Sequence, residues 1–454
     1  MAKIGLEIHG YINTNEKLFC TCKAEHGIKL AKPNTNICPI CTGQPGSKPL
    51  LPNKKAIDKA IQIALILNCK INEKLVWQRK HYSWPDLPKG FQNTMSGPYA
   101  TPNGKDGNFL GIGITECHLE EDPASWNPET GEIDYNRSGS PLIEIVTEPD
   151  FKNAEEVGNW LRQLVTILDY IKAIDKTSGI KADVNVSLPE LKGARVEIKN
   201  INSIKNIQMA IEEEIKRQKK ETPKTQETRM FDSEKKETKR MRTKEEAEDY
   251  RFISEPDLPC INIQKQRIQK IKSLLPETPN EKAKKLIKKY KISEKHARIL
   301  TKKLDIVEFF EKIIKKTNTK LATRWVIEEL VSVLNYTKKE LTNLNINPSH
   351  FIELINMIEK KELTELKAKD ILRSWADKKS YSPKKELKKH KQISKKQDIE
   401  KFVDKVIEEH PKAVKDYKSG EFNALNFLIG QVMKISDKRA DYKTSKEILE
   451  KKLR

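Results

Sequence analysis

Leu6-Glu7-Ile8-His9 decides the fold, because apolar and polar residues alternate there one by one. Successive side chains of a β-strand point to opposite faces of the sheet. The alternation therefore predicts a strand with its two aliphatic residues on a dry face and Glu7 and His9 on the opposite face. A face that would otherwise be plainly soluble then carries a carboxylate and an imidazole.

The same alternation returns in residues 183–188 and 196–199, and in residues 141–146 a single carboxylate, Glu144, interrupts an apolar run. A charge in such a run is costly unless a cation or a hydrogen-bond donor meets it. Together the four segments predict one sheet, with a dry face and a face that carries carboxylates, amides and one imidazole.

Length and charge set the broad class. The chain has 454 residues, enough for two or three domains, and a formal net charge of +21. Such a charge favours a polyanionic partner, although a lysine-rich proteome gives the same excess without nucleic-acid binding. No apolar run approaches the roughly 20 residues of a membrane span, and the start of the chain lacks a signal-peptide core. We therefore expect a cytoplasmic protein with no membrane partner.

Composition divides the chain. Residues 1–262 carry short alternating runs broken by Gly, Pro and Asn, which predict strands and turns. Residues 263–376 have the 3.6-residue apolar spacing of helices, 377–392 read as a basic linker, and 393–454 as a small helical unit. The predicted class is α+β, with an antiparallel sheet domain, a helical domain and a small all-helical tail domain.

Two close thiol pairs, Cys20 with Cys22 and Cys38 with Cys41, form the sharpest local motif. Each pair supplies two thiolates from a tight turn, as a tetrahedral zinc ion requires. Disulfides are the less favoured alternative in a cytosolic chain. Four thiolates close the coordination sphere, so the predicted zinc is structural.

A second constellation is acidic. It comprises residues 114–122, residues 134–137 and Glu144. Clustered carboxylates with a histidine suit magnesium, which bridges to phosphate oxygens; the alternative is a solvated acidic loop. The sequence contains no phosphate-binding loop, dinucleotide fingerprint or nucleophile elbow. An ordinary hydrolase is disfavoured, and any use of ATP must depend on a metal ion and on side chains presented by a sheet.

Many ordered motifs run along the chain. They are residues 5–9, 33–36, 38–41, 79–82, 85–90, 113–115, 118–122, 134–137, 141–146, 148–150, 183–187, 196–200, 202–203, 226–229, 249–252, 255–259 and 423–434. Among them are Gly-Leu-Glu-Ile-His at the start, Pro-Asp-Leu-Pro-Lys-Gly from residue 85 and His-Leu-Glu-Glu-Asp from residue 118. Over nearly its whole length the chain resembles the GatB-type subunit of the aspartyl/glutamyl-tRNA amidotransferase.

The resemblance implies a cradle-shaped domain followed by the helical and tail domains. It implies two protein partners, an amidase subunit that frees ammonia from glutamine and a small third subunit. With ATP and Mg²⁺ the family activates the side-chain carboxylate of mischarged Glu-tRNA(Gln) or Asp-tRNA(Asn) as an acyl phosphate, which ammonia converts to the amide. The basic tail then has a task, because Lys and Arg contact tRNA phosphates without reading sequence.

The resemblance also implies roles for individual residues. The magnesium ligands, and with them part of the catalytic set, are expected to be Glu7, His9, Glu121 and Glu144, with Glu255 a weaker candidate that belongs to the cofactor-binding set. The groups expected to steady phosphates are Lys80, Lys89, Arg137 and Lys199, of which Arg137 and Lys199 join the catalytic set. The groups expected to orient ligands or to screen the path of ammonia are Asp183, Asn185, Asn200 and Asn202, for which a structural hydrogen-bond network is the alternative.

The sequence departs from the family pattern in three places. Residues 123–126 read Pro-Ala-Ser-Trp where Ala-Gly-Lys is usual, so a lysine beside the metal site is missing. Residues 179–182 read Gly-Ile-Lys-Ala where Leu-Arg-Cys is common, which passes an arginine role to Lys181. Residues 82–84 read Tyr-Ser-Trp in place of the usual aromatic cluster. We expect the geometry of the site to be shifted accordingly.

Two other interpretations stay open at this stage. The related archaeal glutamyl-specific subunit shares the cradle but carries a large inserted domain, and this chain is compact where the insert would lie. A zinc-stabilised RNA-binding or assembly protein without catalysis would bind tRNA with no effect of ATP or magnesium. That interpretation leaves the costly acids Glu7 and Glu144 on sheet faces unexplained.

Overall fold

A computed structural model describes residues 1–24, 31–175, 178–243, 250–386 and 390–453. The chain forms two compact units, Met1–Pro276 and Glu277–Arg454. Strands dominate the first unit and helices form the second, so the predicted α+β class is confirmed. The domain boundaries at residues 262, 376 and 392 stay predictions. Asp249 of the motif at 249–252 lies outside the described residues.

The first unit is built mainly from strands. Within its described residues they are β1 (Lys3–Tyr11), β2 (Lys70–Ile71), β3 (Lys74–Leu75), β4 (Gln78–His81), β5 (Phe91–Thr94), β6 (Gly104–Phe109), β7 (Ile112–Glu121), β8 (Ser125–Trp126), β9 (Ile133–Asp134), β10 (Pro141–Thr147), β11 (Ile180–Ser187), β12 (Val196–Asn202), β13 (Glu227–Asp232), β14 (Glu237–Thr243), β15 (Ile253–Ser254) and β16 (Ile261–Asn262). Its helices are α1 (Lys54–Ile66), α2 (Ala154–Tyr170), α3 (Ile204–Lys220) and α4 (Lys265–Leu274), with a 3₁₀ turn at Pro189–Leu191.

Twelve of these strands form one sheet, with the order β14-β13-β12-β11-β1-β10-β7-β5-β4-β15 and with β6 and β2 beside β7. The pairs are antiparallel except β12 with β13, which are parallel. The sheet is therefore mixed at this point rather than purely antiparallel as predicted. The reason is that α3 lies between these two strands in the chain, and such a helical crossover returns the chain in the parallel direction.

β1 lies between β10 and β11, and its register brings the polar residues together. His9 is opposite Glu144 on one side and Lys181 on the other. Glu7 is opposite Asp183. Residues directly opposite each other in an antiparallel pair point to the same face. The predicted sheet with one dry and one polar face is confirmed.

Three helices pack against the dry face and bury it. α1 packs on β7, and α3 packs on β11 and β12 and against α2. Asn53 caps α1 by accepting hydrogen bonds from the backbone N–H groups of Lys55 and Ala56, and the Ser203 side chain caps α3. Full burial of an aliphatic side chain contributes roughly 1.5–3 kcal/mol. The dry side of the sheet is thus a rigid support for the polar side.

The second unit is helical, as predicted. Its α-helices among the described residues are Pro279–Tyr290, Glu294–Leu300, Leu304–Ile313, Thr319–Arg324, Val331–Thr337, Leu341–Leu344, Pro348–Glu359, Glu365–Asp377, Lys396–Glu409, Pro411–Lys418, Asn423–Ile435 and Tyr442–Leu453. The shorter 3₁₀ and π segments are Ile314–Lys316, Trp325–Leu330 and Pro383–Glu386. The last four α-helices share an apolar core. Among the residues that the structure describes, no helix has the length and apolar character that crossing a membrane requires.

The basic run predicted as a linker is packed in its described part. The Ser380 hydroxyl accepts a hydrogen bond from the Asn347 N–H at 2.9 Å, and the Ser382 hydroxyl donates to Glu353. Residues 387–389 of this run lie outside the described residues. The segment before them is therefore held against the helix Pro348–Glu359.

Candidate functional site

A cavity of about 520 Å³ opens on the polar face of the sheet. Its walls combine acids, bases and aromatic rings. The acids are Glu7, Asp86, Glu120, Asp122, Glu144 and Asp183. The bases are His9, Lys80, Arg137, Lys181 and Lys199. The aromatic residues are Tyr11, Tyr82, Trp84, Trp126 and Tyr250.

The first cluster in this pocket consists of His9, Glu120 and Glu144. The Nε2 atom of His9 lies 3.4 Å from Glu144 Oε2 and 3.7 Å from Glu120 Oε1. One ligand atom from each residue lies within 4.8 Å of the other two, which suits a single divalent cation. Burial alone would lower the pKa of His9, but the charge of Glu144 raises it to about 9.

His118 lies beneath this cluster and is 1% exposed. Its Nε2 atom is 3.2 Å from Glu144 Oε2 and its Nδ1 atom is 3.2 Å from Glu116 Oε1. Burial opposes protonation, yet Glu144 and then Glu116 raise the pKa of His118 to about 10. The Ser96 hydroxyl donates to Glu116 at 2.5 Å. The imidazolium thus holds the two carboxylates in place.

Electrostatics separate the two acids of the first cluster. Burial raises the pKa of Glu120, and the charge of Glu144 raises it further. Burial acts on Glu144 in the same direction, but the imidazoles of His118 and His9 hold the pKa of Glu144 well below its usual range. Glu144 is therefore the carboxylate that stays ionised, as a metal ligand must.

A second cluster joins Glu7, Asp183 and Glu197, whose oxygens lie within 4.8 Å of one another. The Lys199 ammonium lies 2.7 Å from Asp183 and 2.6 Å from Glu197. Burial would lower the pKa of Lys199, but these carboxylates raise it above its ordinary value. The Asn185 amide donates to Glu7 at 3.1 Å. Lys199 thus neutralises much of this cluster.

A bulge explains how β12 presents two adjacent residues to Asp183. The register of β11 with β12 shifts between Ala182 and Val184. Asn200 has a φ of 54°, and its backbone N–H donates to Asp183 at 2.7 Å. A bulge re-aims side chains in this way beside many functional sites. Lys199 and Asn200 therefore meet the same carboxylate.

Arg137 is fixed on the opposite wall. Its Nε atom lies 2.8 Å from Asp122, which also accepts a hydrogen bond from the Tyr11 hydroxyl at 2.7 Å. The guanidinium donates to the carbonyl oxygen of Ala124 at 2.8 Å. Burial lowers the pKa of the neighbouring Lys181. The pocket thus has two lysines and a fixed arginine around its acids.

Two predicted site residues lie on the other side of the sheet. Glu121 forms an ion pair with Lys89 and accepts a hydrogen bond from the Asn93 N–H at 2.9 Å. Side chains of β7 alternate, so Glu120 reaches the pocket and Glu121 points away from it. The expected placement of Glu121 among the pocket carboxylates, and of Lys89 among the pocket cations, is corrected by this arrangement.

Other predicted residues also lie outside the pocket lining. Glu255 is bound by both arms of the Arg79 guanidinium at 2.8 Å, where β15 pairs with β4. Asn185 supports Glu7 from below, and Asn202 is exposed at the end of β12. The remaining expected residues line the pocket; they are Glu7, His9, Lys80, Arg137, Glu144, Asp183, Lys199 and Asn200. Their roles stay predictions.

Sequence reasoning missed Glu120 and His118, although a signal was present. In residues 117–122 the apolar Leu119 belongs on the dry face, which assigns the even-numbered residues to the polar face. Glu197, in the alternating segment 196–199, could have been found by the same rule. The aromatic residues of the pocket carry no such signal, because rings are equally common in a core.

The four cysteines converge as expected. One sulfur atom from each lies within 4.8 Å of the others. The thiol of Cys20 lowers the pKa of Cys41 to about 4, and burial raises the pKa of Cys22 to about 11. Cys38 and Cys41 are 3.9 Å apart at sulfur. This set fits a tetrahedral metal ion with thiolate ligands.

Comparisons with known proteins match both units. Residues 2–269 match the GatB/GatE catalytic domain family, and residues 308–453 match the GatB domain family. The GatB-type subunit of the aspartyl/glutamyl-tRNA(Asn/Gln) amidotransferase of Methanocaldococcus jannaschii is 43% identical over 99% of this chain and 98% of its own length. The protein of the same name from Methanothermobacter thermautotrophicus is 41% identical over 99% of this chain and 100% of its own length.

We expect His118→Asn to lower the free energy of unfolding of the first unit by about 3 kcal/mol, because it removes a cation from between two buried carboxylates. Denaturant unfolding with a chelator present measures this. The control His81→Asn removes an imidazole that shares one 2.9 Å hydrogen bond with the Arg251 carbonyl, and it should cost about 1 kcal/mol or less. Equal losses in the two variants would contradict the role of His118.

Proposed function

Because the chain belongs to the GatB family and is a subunit of the glutamine-hydrolysing aspartyl/glutamyl-tRNA amidotransferase, we propose that its pocket activates a tRNA-bound carboxylate with ATP. The γ-phosphoryl group passes from ATP to a side-chain carboxylate oxygen of Glu-tRNA(Gln), Asp-tRNA(Asn) or both, which gives ADP and an acyl phosphate. Ammonia then adds at the acyl carbon and expels inorganic phosphate, which leaves the amide. Phosphate replaces oxide as the leaving group.

One observation carries this proposal: two acid clusters and several cations face a single cavity of about 520 Å³. Phosphoryl transfer depends on alignment and on neutralisation of charge more than on covalent catalysis. His9, Glu120 and Glu144 are the residues that would hold Mg²⁺, with Glu7 nearby. When bound, the ion would neutralise phosphate charge and orient the phosphoryl group.

The cations of the pocket divide into two groups by their partners. Lys199 and Arg137 are tied to carboxylates, so we assign them to positioning and to the balance of charge. Lys80 lies 4.6 Å above the Tyr250 ring, and burial makes Lys181 a weaker base. We assign these two lysines to contacts with phosphate or with the developing acyl phosphate, and Asn200 and Asp183 to orientation of the substrate.

The rest of the proposal concerns the complex. An amidase subunit supplies ammonia, and the assembly in the cytoplasm includes a small third subunit. The basic helices of the second unit bind tRNA through its phosphates. Cys20, Cys22, Cys38 and Cys41 hold a structural zinc ion. The nearly full-length matches to GatB-type proteins support this choice over the glutamyl-specific subunit with its inserted domain.

The first test follows the aminoacyl group released from tRNA. The chain, assembled with its amidase and small subunits, receives free ammonium, Mg-ATP and mischarged tRNA. We expect glutamate to become glutamine, or aspartate asparagine, only when ATP is present, and the product names the substrate. Binding of tRNA without formation of either amide would favour a non-catalytic RNA-binding protein.

The second test compares two adjacent carboxylates. Glu120→Gln removes a charge from the first cluster, so we expect the ATP-dependent amidation rate to fall at least about 100-fold. Glu121→Gln, on the other side of the sheet, should keep the rate within a few-fold. Thermal melts of both variants separate loss of fold from loss of activity. If Glu121→Gln were the inactive variant, the assignment of the first cluster would be wrong.

The third test concerns the cysteines. We expect Cys38→Ser to lose bound zinc and to unfold at lower denaturant concentration, because a thiolate ligand is removed. Metal analysis of the purified protein measures the ratio of zinc to chain. The control is Cys260→Ser, since Cys260 is exposed and lies outside the cluster. An unchanged ratio in Cys38→Ser would contradict the four-thiolate site.

A further inference from the structure

Two tryptophans stand at the mouth of the pocket. Trp84, in the loop between β4 and β5, is 42% exposed, and Trp126 lies on β8. Their ring centroids are 5.7 Å apart with an angle of 66° between the planes. Both rings line the cavity, whose acids are far more buried: the Glu120 residue is only 5% exposed. Large aromatic surface left open beside a cavity offers a face for another flat ring.

Backbone contacts fix both rings. The Ala124 N–H donates to the carbonyl oxygen of Asp86 at 2.9 Å, which joins the segment of Trp126 to the loop of Trp84. β8 pairs with β9, and Asp134 of β9 accepts a hydrogen bond from the Asn34 N–H at 3.0 Å. A ring held before the ligand arrives loses little freedom on binding. The pair is therefore a preformed wall.

The other tryptophans of the chain are in a different environment. Each of them is buried, namely Trp77 at 2%, Trp160 at 3%, Trp325 at 1% and Trp375 at 0% exposed. Of the six tryptophans in the sequence, only the pocket pair therefore lies within easy reach of a solute. This contrast sets the pair apart from core packing, and it also provides a selective optical probe.

We propose that Trp84 and Trp126 stack the adenine base of an adenosine nucleotide whose charged end reaches the acid clusters. This inference rests on the proposed function, which brings two adenosines to the pocket: that of ATP and the 3′-terminal adenosine that carries the amino acid on tRNA. Both have the same flat base, and either charged end needs the cations on the floor. Stacking on an aromatic side chain strengthens binding by about 10- to 100-fold per base.

Acrylamide quenching of tryptophan fluorescence in the full-length chain tests contact with the base. If the base belongs to ATP, Mg-ATP should protect the accessible indoles and Mg-tripolyphosphate, which has no base, should not. If it belongs to tRNA, uncharged tRNA should protect them and the same tRNA lacking its terminal adenosine should not. Absence of base-dependent protection in both arms would overturn the proposal.

Variants of the assembled enzyme provide the second readout. Trp84→Ala and Trp126→Ala should raise the KM for the adenosine-bearing substrate about 10-fold or more, with a smaller change in kcat. Trp84→Phe should keep most of the affinity because it keeps a ring. The control Tyr99→Ala removes a ring that is 53% exposed outside the pocket lining, and it should change neither constant.

The two proposals fail in different ways. A wild-type enzyme that forms no amide contradicts the proposed function itself. An active enzyme in which both alanine variants keep wild-type KM values for ATP and for tRNA contradicts the stacking wall alone.

Discussion

The register of β1 between β10 and β11 is the constraint on which the site depends. It sets His9 opposite Glu144 and Glu7 opposite Asp183. Because side chains alternate along a strand, a slip of one residue would move this entire set to the dry face. The helices on that face oppose such a slip, since it would place carboxylates among their buried aliphatic side chains. The packing of one face thus fixes the chemistry of the other.

Concentrated charge is the cost of this arrangement, and the structure offsets it locally. Ionised carboxylates taken out of water are destabilising unless cations meet them. Glu144 lies between two imidazoles, and Lys199 lies between two carboxylates. The same pairing leaves acids ionised and oriented, which is the state that a cation or a phosphate-bearing ligand requires. Stability without ligand and readiness to bind one therefore have the same origin.

The parts of this architecture that depend on local pattern could be predicted from the sequence. Alternation predicted the two-faced sheet, thiol spacing predicted the convergence of the cysteines, and apolar spacing predicted the helices. What failed depended on direction or on partners distant in the chain. Glu121 was placed beside Glu144 although period two assigns Glu120 there, and the Arg79 pairing of Glu255 joins residues 176 positions apart. The parallel pairing of β12 with β13 follows from a crossover that a strand pattern does not encode.

The cysteine loop has a direct structural connection to the pocket. Asn136 accepts hydrogen bonds from the backbone N–H groups of Thr35 and Asn36 at 2.9 and 2.8 Å, just before Cys38 in the chain. The Ser138 hydroxyl donates to the carbonyl oxygen of Cys41 at 2.8 Å. The residue between these two anchors is Arg137, whose guanidinium lines the pocket. Order in the cysteine loop is therefore order in Arg137, which gives a closed four-thiolate site a purpose in a protein whose chemistry takes place on the sheet.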